Sequence, residues 1–172
     1  SGGTHETQEM ELQPMAIPRA CLVPLAEAVK KVVSIPVAAV GRIVDPGMAE
    51  EILQQGKADL ITMGRALLAD PDFPRKARQG KAEDIRPCIG CLQGCRERLY
   101  QGESITCLVN PAAGYERERR IKPVSVPKKV WVIGGGPGGM ETALIAARRG
   151  HDVTIWERKD HLGGHFHLAS LA

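Results

Sequence analysis

Residues 130–157 read VWVIGGGPGGMETALIAARRGHDVTIWE, a segment in which two apolar runs flank a glycine-rich turn and an alanine-rich stretch. The apolar run at 130–133 predicts a strand, and the pattern over 138–149 predicts a helix that ends at Gly150. A second apolar run at 153–156 predicts another strand. Because the connections are short, the two strands must be parallel and joined by a right-handed crossover.

The glycines of this segment predict a dinucleotide site. Gly134, Gly136 and Gly139 fit the pattern G-x-G-x-x-G, after a strand and at the start of a helix. Glu157 closes the second strand 23 residues after Gly134, where an acid can bind a ribose hydroxyl. An acid there favours FAD or NAD over a 2′-phosphorylated nucleotide. The alternative is a glycine-rich turn that only allows tight packing of the helix on the strand.

The first eighty residues follow the same alternation of helix and strand. The predicted elements are helix 22–33, strand 35–40, helix 47–55, strand 59–63 and helix 74–79. Asp45 is a predicted N-cap with Pro46 at the first helical position, and Gly56 and Gly80 suit left-handed helix ends. The fold class is therefore α/β with parallel sheets.

A glycine–arginine pair ends each of these two strands. Gly41 and Arg42 follow the first strand, and Gly64 and Arg65 follow the second. Carboxyl ends of parallel strands meet at one edge, where glycine exposes backbone N–H groups and arginine can bind anion oxygens. The pairs predict an anion site, unless each arginine is simply a surface residue after a strand.

Four of the five cysteines lie close together in the sequence. Cys88, Cys91, Cys95 and Cys107 follow the spacing C-x2-C-x3-C-x11-C in a polar, turn-rich stretch predicted to be poor in helix. Four thiolates suit a cubic iron–sulfur cluster, and they also suit structural zinc, although zinc modules more often use two C-x2-C pairs. Cys21 stands apart and is expected to be a small core residue.

Composition narrows the function classes. The chain has 172 residues, a net charge of +3 and only 6 aromatic residues, which argues against nucleic-acid binding. No apolar run approaches the roughly 18 residues of a membrane span, and the N-terminal residues show no signal peptide. Clustered cysteines without a disulfide pattern indicate a reducing compartment, and we expect a cytoplasmic protein that binds neither nucleic acid nor membrane.

Taken together, these motifs resemble the iron–sulfur flavoenzymes of the 2,4-dienoyl-CoA reductase and trimethylamine dehydrogenase group, whose barrel is of the old yellow enzyme type. The resemblance extends over nearly the whole chain. The motifs that carry it are AVGRI at 39–43, ADL at 58–60, MGR at 63–65, LADP at 68–71, CIGC at 88–91, CLVNP at 107–111 and LGG at 162–164.

The resemblance implies three regions. Residues 1–80 would be the C-terminal part of an FMN-binding TIM (β/α)8 barrel, 81–127 a [4Fe–4S] segment and linker, and 128–172 the start of a Rossmann-like FAD/NAD(P) domain. The implied cofactor residues are Gly41, Arg42, Gly64 and Arg65 for the FMN phosphate, Cys88, Cys91, Cys95 and Cys107 for the cluster, and Gly134, Gly136, Gly138, Gly139, Glu157 and His165 for FAD.

The resemblance also implies an activity. NAD(P)H would reduce FAD, the cluster would pass electrons singly to FMN, and FMN would reduce an activated C=C bond of a small-molecule substrate. His5 matches a histidine that supplies or orients the proton, although on pattern alone the histidines of this chain indicate no site. The alternatives are an amine dehydrogenase of the same architecture, whose covalent flavin attachment would lie upstream, and a cluster-holding piece without catalysis.

The family pattern begins before Ser1 and continues beyond Ala172. We therefore expect this chain to be an internal fragment of a larger enzyme, with the remainder of that enzyme or companion chains as its partners. Two strands of a barrel expose apolar edges and faces, so we expect the fragment alone to be unstable and inactive.

Overall fold

Each half of the chain builds a two-stranded parallel sheet with helices packed on it. The computed structural model describes residues 5–169 and leaves the side chains of His5, His167 and Leu168 undescribed. The chain divides into two compact units, Ser1–Glu116 and Arg117–Ala172, each with its own internal contacts. Residues 116–120 are all charged, and they are exposed at this boundary.

The first unit contains two short strands and six α-helices among its described residues. The strands are β1 (Ala38–Ala39) and β2 (Leu60–Ile61); the helices are α1 (Gln8–Glu11), α2 (Val23–Lys30), α3 (Pro46–Gln54), α4 (Arg65–Ala69), α5 (Phe73–Arg78) and α6 (Arg98–Tyr100). Single-turn 3₁₀ helices cover His5–Thr7 and Ala82–Asp84, and a π-helix covers Gln93–Glu97.

Local signals fix helix α3 closely. The Asp45 carboxylate accepts a hydrogen bond of 2.9 Å from the backbone N–H of Met48, and Pro46 occupies the first turn. The helix ends before Gly56, which has a φ of +67°. The observed bounds differ from the predicted ones by one residue at each end.

Strands β1 and β2 are parallel, as predicted, but much shorter than the sequence suggests. The register pairs Ala38 with Leu60 and Ala39 with Ile61. Pro36 has no N–H to donate, and the N–H of Val37 is bonded to the Asp59 carboxylate at 2.9 Å instead of to a strand. At the other end Gly41, with a φ of +117°, turns the chain away.

Two apolar clusters hold this unit together. One packs α2 and α3 against β1 through Val23, Ala39, Ile43, Ile52 and Ala58. The other joins Ala66 of α4 to Phe73 of α5 and to Ile85, which precedes the cysteine segment. The second cluster therefore packs together the part of the chain that connects β2 to Cys88.

The second unit has one central helix. Strands β3 (Lys129–Ile133) and β4 (Asp152–Trp156) are parallel and pair along five residues, with α7 (Pro137–Arg148) between them in sequence. Val132 and Ala143 are buried where α7 meets the sheet. A last helix, α8 (His165–Ala169), follows a turn, and none of the helices among residues 5–169 is long and apolar enough to cross a membrane.

The cysteine segment is not poor in helix, which corrects the expectation from its composition. The N–H of Glu97 reaches the carbonyl of Leu92 at 3.1 Å, five residues back, so the chain winds as a π-helix and continues into α6. The Arg96 guanidinium stacks over the Tyr100 ring at 4.7 Å, one turn along, and steadies this junction.

Candidate functional site

The two glycine–arginine pairs meet at one cavity, at the carboxyl ends of β1 and β2. Gly41, Arg42, Gly64 and Arg65 all line it, as does Cys88. Gly41 and Arg42 both have positive φ angles, +117° and +53°, which is an uncommon backbone conformation for an arginine. The predicted neighbourhood of the four residues is therefore present in the structure.

The arginine side chains contact a part of the chain that no sequence pattern predicts. Arg42 donates to the backbone carbonyls of Met15 and Ile17. Arg65 donates to the carbonyl of Gln13 at 2.6 Å and to its side-chain oxygen at 3.1 Å. Both guanidinium groups thus bind residues 13–17, which we name the 13–17 segment, and Gln13 of this segment lines the cavity.

The four clustered cysteines line a second cavity. Its wall contains Cys88, Cys91, Cys95 and Cys107, together with Arg65 and apolar side chains. All four thiols are half-buried and none forms a disulfide. Within residues 5–169, no three His, Cys, Asp or Glu side chains form a tight single-ion site, so the thiols share a cavity wall rather than one contact point.

A close backbone contact brings Cys95 beside Cys107. The carbonyl of Gly94 accepts hydrogen bonds from the backbone N–H of Thr106, at 2.6 Å, and from its hydroxyl, at 3.3 Å. A Cβ at position 94 would lie only 2.7 Å from the carbonyl oxygen of Thr106. Glycine is therefore required for the π-helix to pack on the segment before Cys107.

Two buried polar side chains anchor the cysteine segment to the region around α4. The Asp70 carboxylate accepts a hydrogen bond of 3.0 Å from the backbone N–H of Arg86, two residues before Cys88. Asn110 donates to the carbonyl of Leu68 at 2.8 Å, three residues after Cys107. Both residues lie within the motifs LADP and CLVNP, but no pattern there predicts a role for them; their only signal is that they are polar residues beside apolar ones.

Burial raises the pKa of the Cys88 thiol above its usual value. The Gly90 backbone N–H and the positive charge of Arg65 favour the thiolate, but they offset only part of that effect. Because metal ligation requires the thiolate, a metal centre that binds here has to supply the remaining opposing charge.

The glycine-rich turn of the second unit is closely packed. Gly134 donates its N–H to the carbonyl of Trp156 at 2.7 Å, which ties the turn to β4. A Cβ at Gly139 would lie 1.9 Å from the carbonyl oxygen of Gly134, so helix α7 could not approach the turn with any other residue there. The packing explanation of the glycine motif therefore holds for Gly139, whereas a Cβ at Gly136 or Gly138 would meet no atom within 4 Å.

The carboxylate of Glu157 lies against the glycine-rich turn. It accepts hydrogen bonds from the backbone N–H of Gly135 at 2.7 Å and of Lys159 at 3.0 Å. The N–H of Lys159, followed by that of Gly135, holds the pKa of Glu157 below its usual value. The acid and the glycines thus adjoin, as the sequence predicts, and the carboxylate is ionised at neutral pH.

Two histidines, His5 and His165, are among the predicted site residues. The backbone of His5 lies in a 3₁₀ turn, while its side chain is outside the described residues, so its catalytic role stays a prediction. His165 begins α8 and is exposed. The turn before it does reach the glycine-rich turn, because Gly163 donates to the carbonyl of Gly135 at 2.8 Å.

Comparison with known proteins gives two family matches. Residues 18–84 match the NADH:flavin oxidoreductase / NADH oxidase family, and residues 132–170 match the NAD(P)-binding Rossmann-like domain.

Similar curated proteins include a metal reductase of Desulforamulus reducens, which is 50% identical over 99% of this chain and 25% of its own length. An NADH oxidase of Thermoanaerobacter brockii is 46% identical over 100% of this chain and 27% of its own. A cinnamate reductase of Clostridium sporogenes is 40% identical over 94% of this chain and 24% of its own length. The chain thus spans about a quarter of the length of these relatives.

Solved structures with the same fold include a 2-naphthoyl-CoA reductase in complex with 2-naphthoyl-CoA. It is 38% identical, with a TM-score of 0.84 over 88% of this chain and 24% of that one. Histamine dehydrogenase from Rhizobium sp. 4-9 is 31% identical, with a TM-score of 0.83 over 92% of this chain and 24% of that one.

Proposed function

Because the chain belongs to the NADH:flavin oxidoreductase / NADH oxidase family, we propose that it is part of an NAD(P)H-dependent iron–sulfur flavoprotein oxidoreductase. Electrons would pass from NAD(P)H through FAD and a [4Fe–4S] cluster to FMN, which reduces an activated C=C bond of a small-molecule substrate. Three of the similar proteins are a cinnamate reductase, a 2-naphthoyl-CoA reductase and an NADH oxidase, and their names are consistent with this class of reaction.

The observation that carries the proposal is the shared wall of two cavities. Cys88 and Arg65 line both the four-cysteine cavity and the cavity at the strand ends. Cys88, Cys91, Cys95 and Cys107 would hold the cluster, which supplies single-electron transfer when bound. The half-buried thiols and the apolar side chains around them exclude much of the solvent and fit such a group.

At the strand ends, the chain's own residues would hold the phosphate of FMN, which supplies hydride chemistry when bound. Gly41 and Gly64 let the backbone approach an anion. Arg42 has a left-handed backbone conformation and continues the turn that begins at Gly41. In the structure Arg42 and Arg65 bind the 13–17 segment, whose Gln13 lines the cavity, and we propose that the two arginines close the site around the phosphate.

In the second unit we propose the adenosine end of FAD as the ligand. Gly134, Gly136, Gly138 and Gly139 would allow the pyrophosphate to approach the N-terminus of α7, where N–H groups and the helix dipole favour an anion. The ionised carboxylate of Glu157 would accept from the ribose hydroxyls, exchanging its hydrogen bond to Gly135 for one to the ligand. His165, exposed at the start of α8, would lie at the edge of this site.

The proposal includes the regions and surroundings expected from the sequence. Residues 1–80 would end a barrel, 81–127 would carry the cluster and linker, and 128–172 would begin the FAD/NAD(P) domain. The remainder of the enzyme or companion chains would complete these sites, with no nucleic acid or membrane as a partner. Five free thiols fit a cytoplasmic location.

Anaerobic purification followed by assay of iron, acid-labile sulfide and flavin tests this proposal. We expect about four irons and four sulfides per chain, with broad absorption near ~400 nm. Zinc in a colourless protein would contradict it. In the holoprotein, His5→Ala is expected to slow reduction of an activated alkene while NAD(P)H still reduces the flavin, and unchanged alkene turnover would remove His5 from the reaction.

A second candidate function is amine dehydrogenation, favoured by the likeness to histamine dehydrogenase. Such an enzyme oxidises its substrate and passes electrons outward to a protein acceptor. Flavin that stays with the holoprotein after denaturation, together with bleaching of the flavin by an amine and not by NAD(P)H, would support this function over alkene reduction.

A further inference from the structure

Arg65 is the only cationic side chain in the wall of the four-cysteine cavity among the described residues. It also lines the cavity at the strand ends, and Cys88 is the one cysteine that borders both. Arg65 begins α4 at the turn that follows β2, so the backbone that forms the strand-end cavity also fixes where this side chain starts.

The guanidinium group is held in place by uncharged acceptors of the chain. Its two terminal nitrogens bind the carbonyl and the side-chain oxygen of Gln13, at 2.6 and 3.1 Å. Gln13 is only 3% exposed, and its own amide donates to the carbonyl of Met10, so the acceptor is itself fixed. No ion pair joins Arg65 to a carboxylate within residues 5–169. Arg65 lines both cavities, so its positive charge would lie between the phosphate of FMN and the cluster.

We propose that Arg65 raises the reduction potential of the cluster and so favours transfer of electrons into it. This inference rests on the proposed function, because it assumes that the four cysteines bind a [4Fe–4S] cluster. Four thiolates make such a cluster negative, and each added electron makes it more so. A fixed positive charge in a partly dry cavity therefore stabilises the reduced form more than the oxidised form.

The test is an anaerobic redox titration of the holoprotein, followed by the EPR signal of the reduced cluster, with iron and flavin content measured alongside. For Arg65→Gln we expect the ratio of oxidised to reduced cluster at a fixed potential to rise about tenfold, which is a fall of about 59 mV for one electron. Arg65→Lys keeps the charge and is expected to stay close to the parent protein.

Arg98→Gln is the matched control, because it removes the same charge from the cysteine segment. Arg98 pairs with Glu103 at 2.9 Å and donates to the carbonyl of Ser104, and it does not line the cavity. Its variant is expected to leave the potential unchanged.

The outcomes separate this inference from the proposed function. A parent protein without iron would overturn the proposed function, and this inference with it. A parent protein with full iron, and an Arg65→Gln variant with full iron and the same potential, would overturn this inference alone, as would equal shifts in Arg65→Gln and Arg65→Lys. If Arg65→Gln loses its iron or its FMN, Gln13→Glu, which places a carboxylate against the guanidinium, is expected to lower the potential, and no change there would overturn the inference.

Discussion

Asp70 is 1% exposed, and its carboxylate holds three parts of the first unit together. It accepts hydrogen bonds from the ammonium of Lys76 at 2.5 Å, from the backbone N–H of Arg86 at 3.0 Å and from that of Asp72 at 3.1 Å. Burial by itself raises the pKa of Asp70, but these hydrogen bonds outweigh it and hold the pKa below its usual value. The ionised form is therefore the one that the fold stabilises.

The first prediction concerns the replacement Asp70→Asn. An amide keeps the size but loses the charge, so Lys76 is left without its ion pair at a half-buried site, and we expect a loss of about 3 kcal/mol in the free energy of unfolding. The folded pKa is lower than the unfolded one, so the contribution of Asp70 is complete above the unfolded pKa and disappears as the pH falls through the folded pKa. Denaturant unfolding of the parent and the variant over a range of acid pH would measure both effects.

Asp72→Asn is the control for this prediction. The Asp72 carboxylate pairs with Arg75 at 2.7 Å on the surface, where both side chains are more than half exposed. We expect a loss of under about 1 kcal/mol. Equal losses in the two variants, or a gap between Asp70→Asn and the parent that stays constant toward acid pH, would contradict the role assigned to Asp70.

Residues such as Arg42 and Arg65 mark the limit of what the sequence predicts at this scale. The ends of strands follow from apolar patterns, so the meeting of the two glycine–arginine pairs could be predicted. Their side-chain partners lie 25 to 52 residues away, in the 13–17 segment, and no local pattern encodes such contacts. The same is true of Asn110, whose acceptor at Leu68 is 42 residues distant.

Among the elements, the π-helix that carries Cys95 depends on one glycine. Gly94 is buried against the backbone of Thr106, with no room for a methyl group. The second prediction is that Gly94→Ala forces the π-helix away from the segment before Cys107, at a cost of about 1–3 kcal/mol in stability. Because Cys95 and Cys107 then separate, iron per chain should fall well below that of the parent, as measured in parallel anaerobic preparations.

Gly102→Ala separates this packing effect from a general effect of replacing glycine. Gly102 follows α6 with a φ of +71° and has nothing near its Cβ position, so alanine there costs about 1 kcal/mol of backbone strain. We expect normal iron content in that variant. Iron retained in Gly94→Ala, or lost equally in both variants, would show that the close contact does not set the cysteine geometry.

Where the local signals are complete, the sequence predicts an element almost to the residue. Helix α3 has a capping aspartate, a proline in its first turn and a glycine after its end. The π-helix has none of these, since its N-terminal neighbour is Leu92 in a left-handed conformation and its winding depends on packing against Thr106. The predicted strand 35–40 is longer than β1. The prediction rests on apolar content, which does not show that Pro36 and Gly41 limit the pairing of this strand.

At the scale of the whole molecule, the second unit has a sheet with one covered face. Helix α7 covers Val132, whereas the opposite face presents Trp131, Ile133 and Trp156, which are 70%, 88% and 59% exposed. The two indole rings lie 6.2 Å apart and tilted by 58°, so they cover each other only in part. Parallel sheets are normally buried on both faces, and this face is apolar enough to need a cover.

The third prediction follows from that face. Trp131 and Trp156 are the only tryptophans in the sequence, so Trp131→Phe and Trp156→Phe each leave one reporter. In the 172-residue chain we expect each indole to emit as a water-exposed group and to be readily quenched by acrylamide. In a longer protein that carries the same residues with a layer over this face, emission should shift to the blue and quenching should weaken. Blue-shifted, protected emission from the 172-residue chain itself would contradict the prediction, because it would mean that the chain covers the face without any addition.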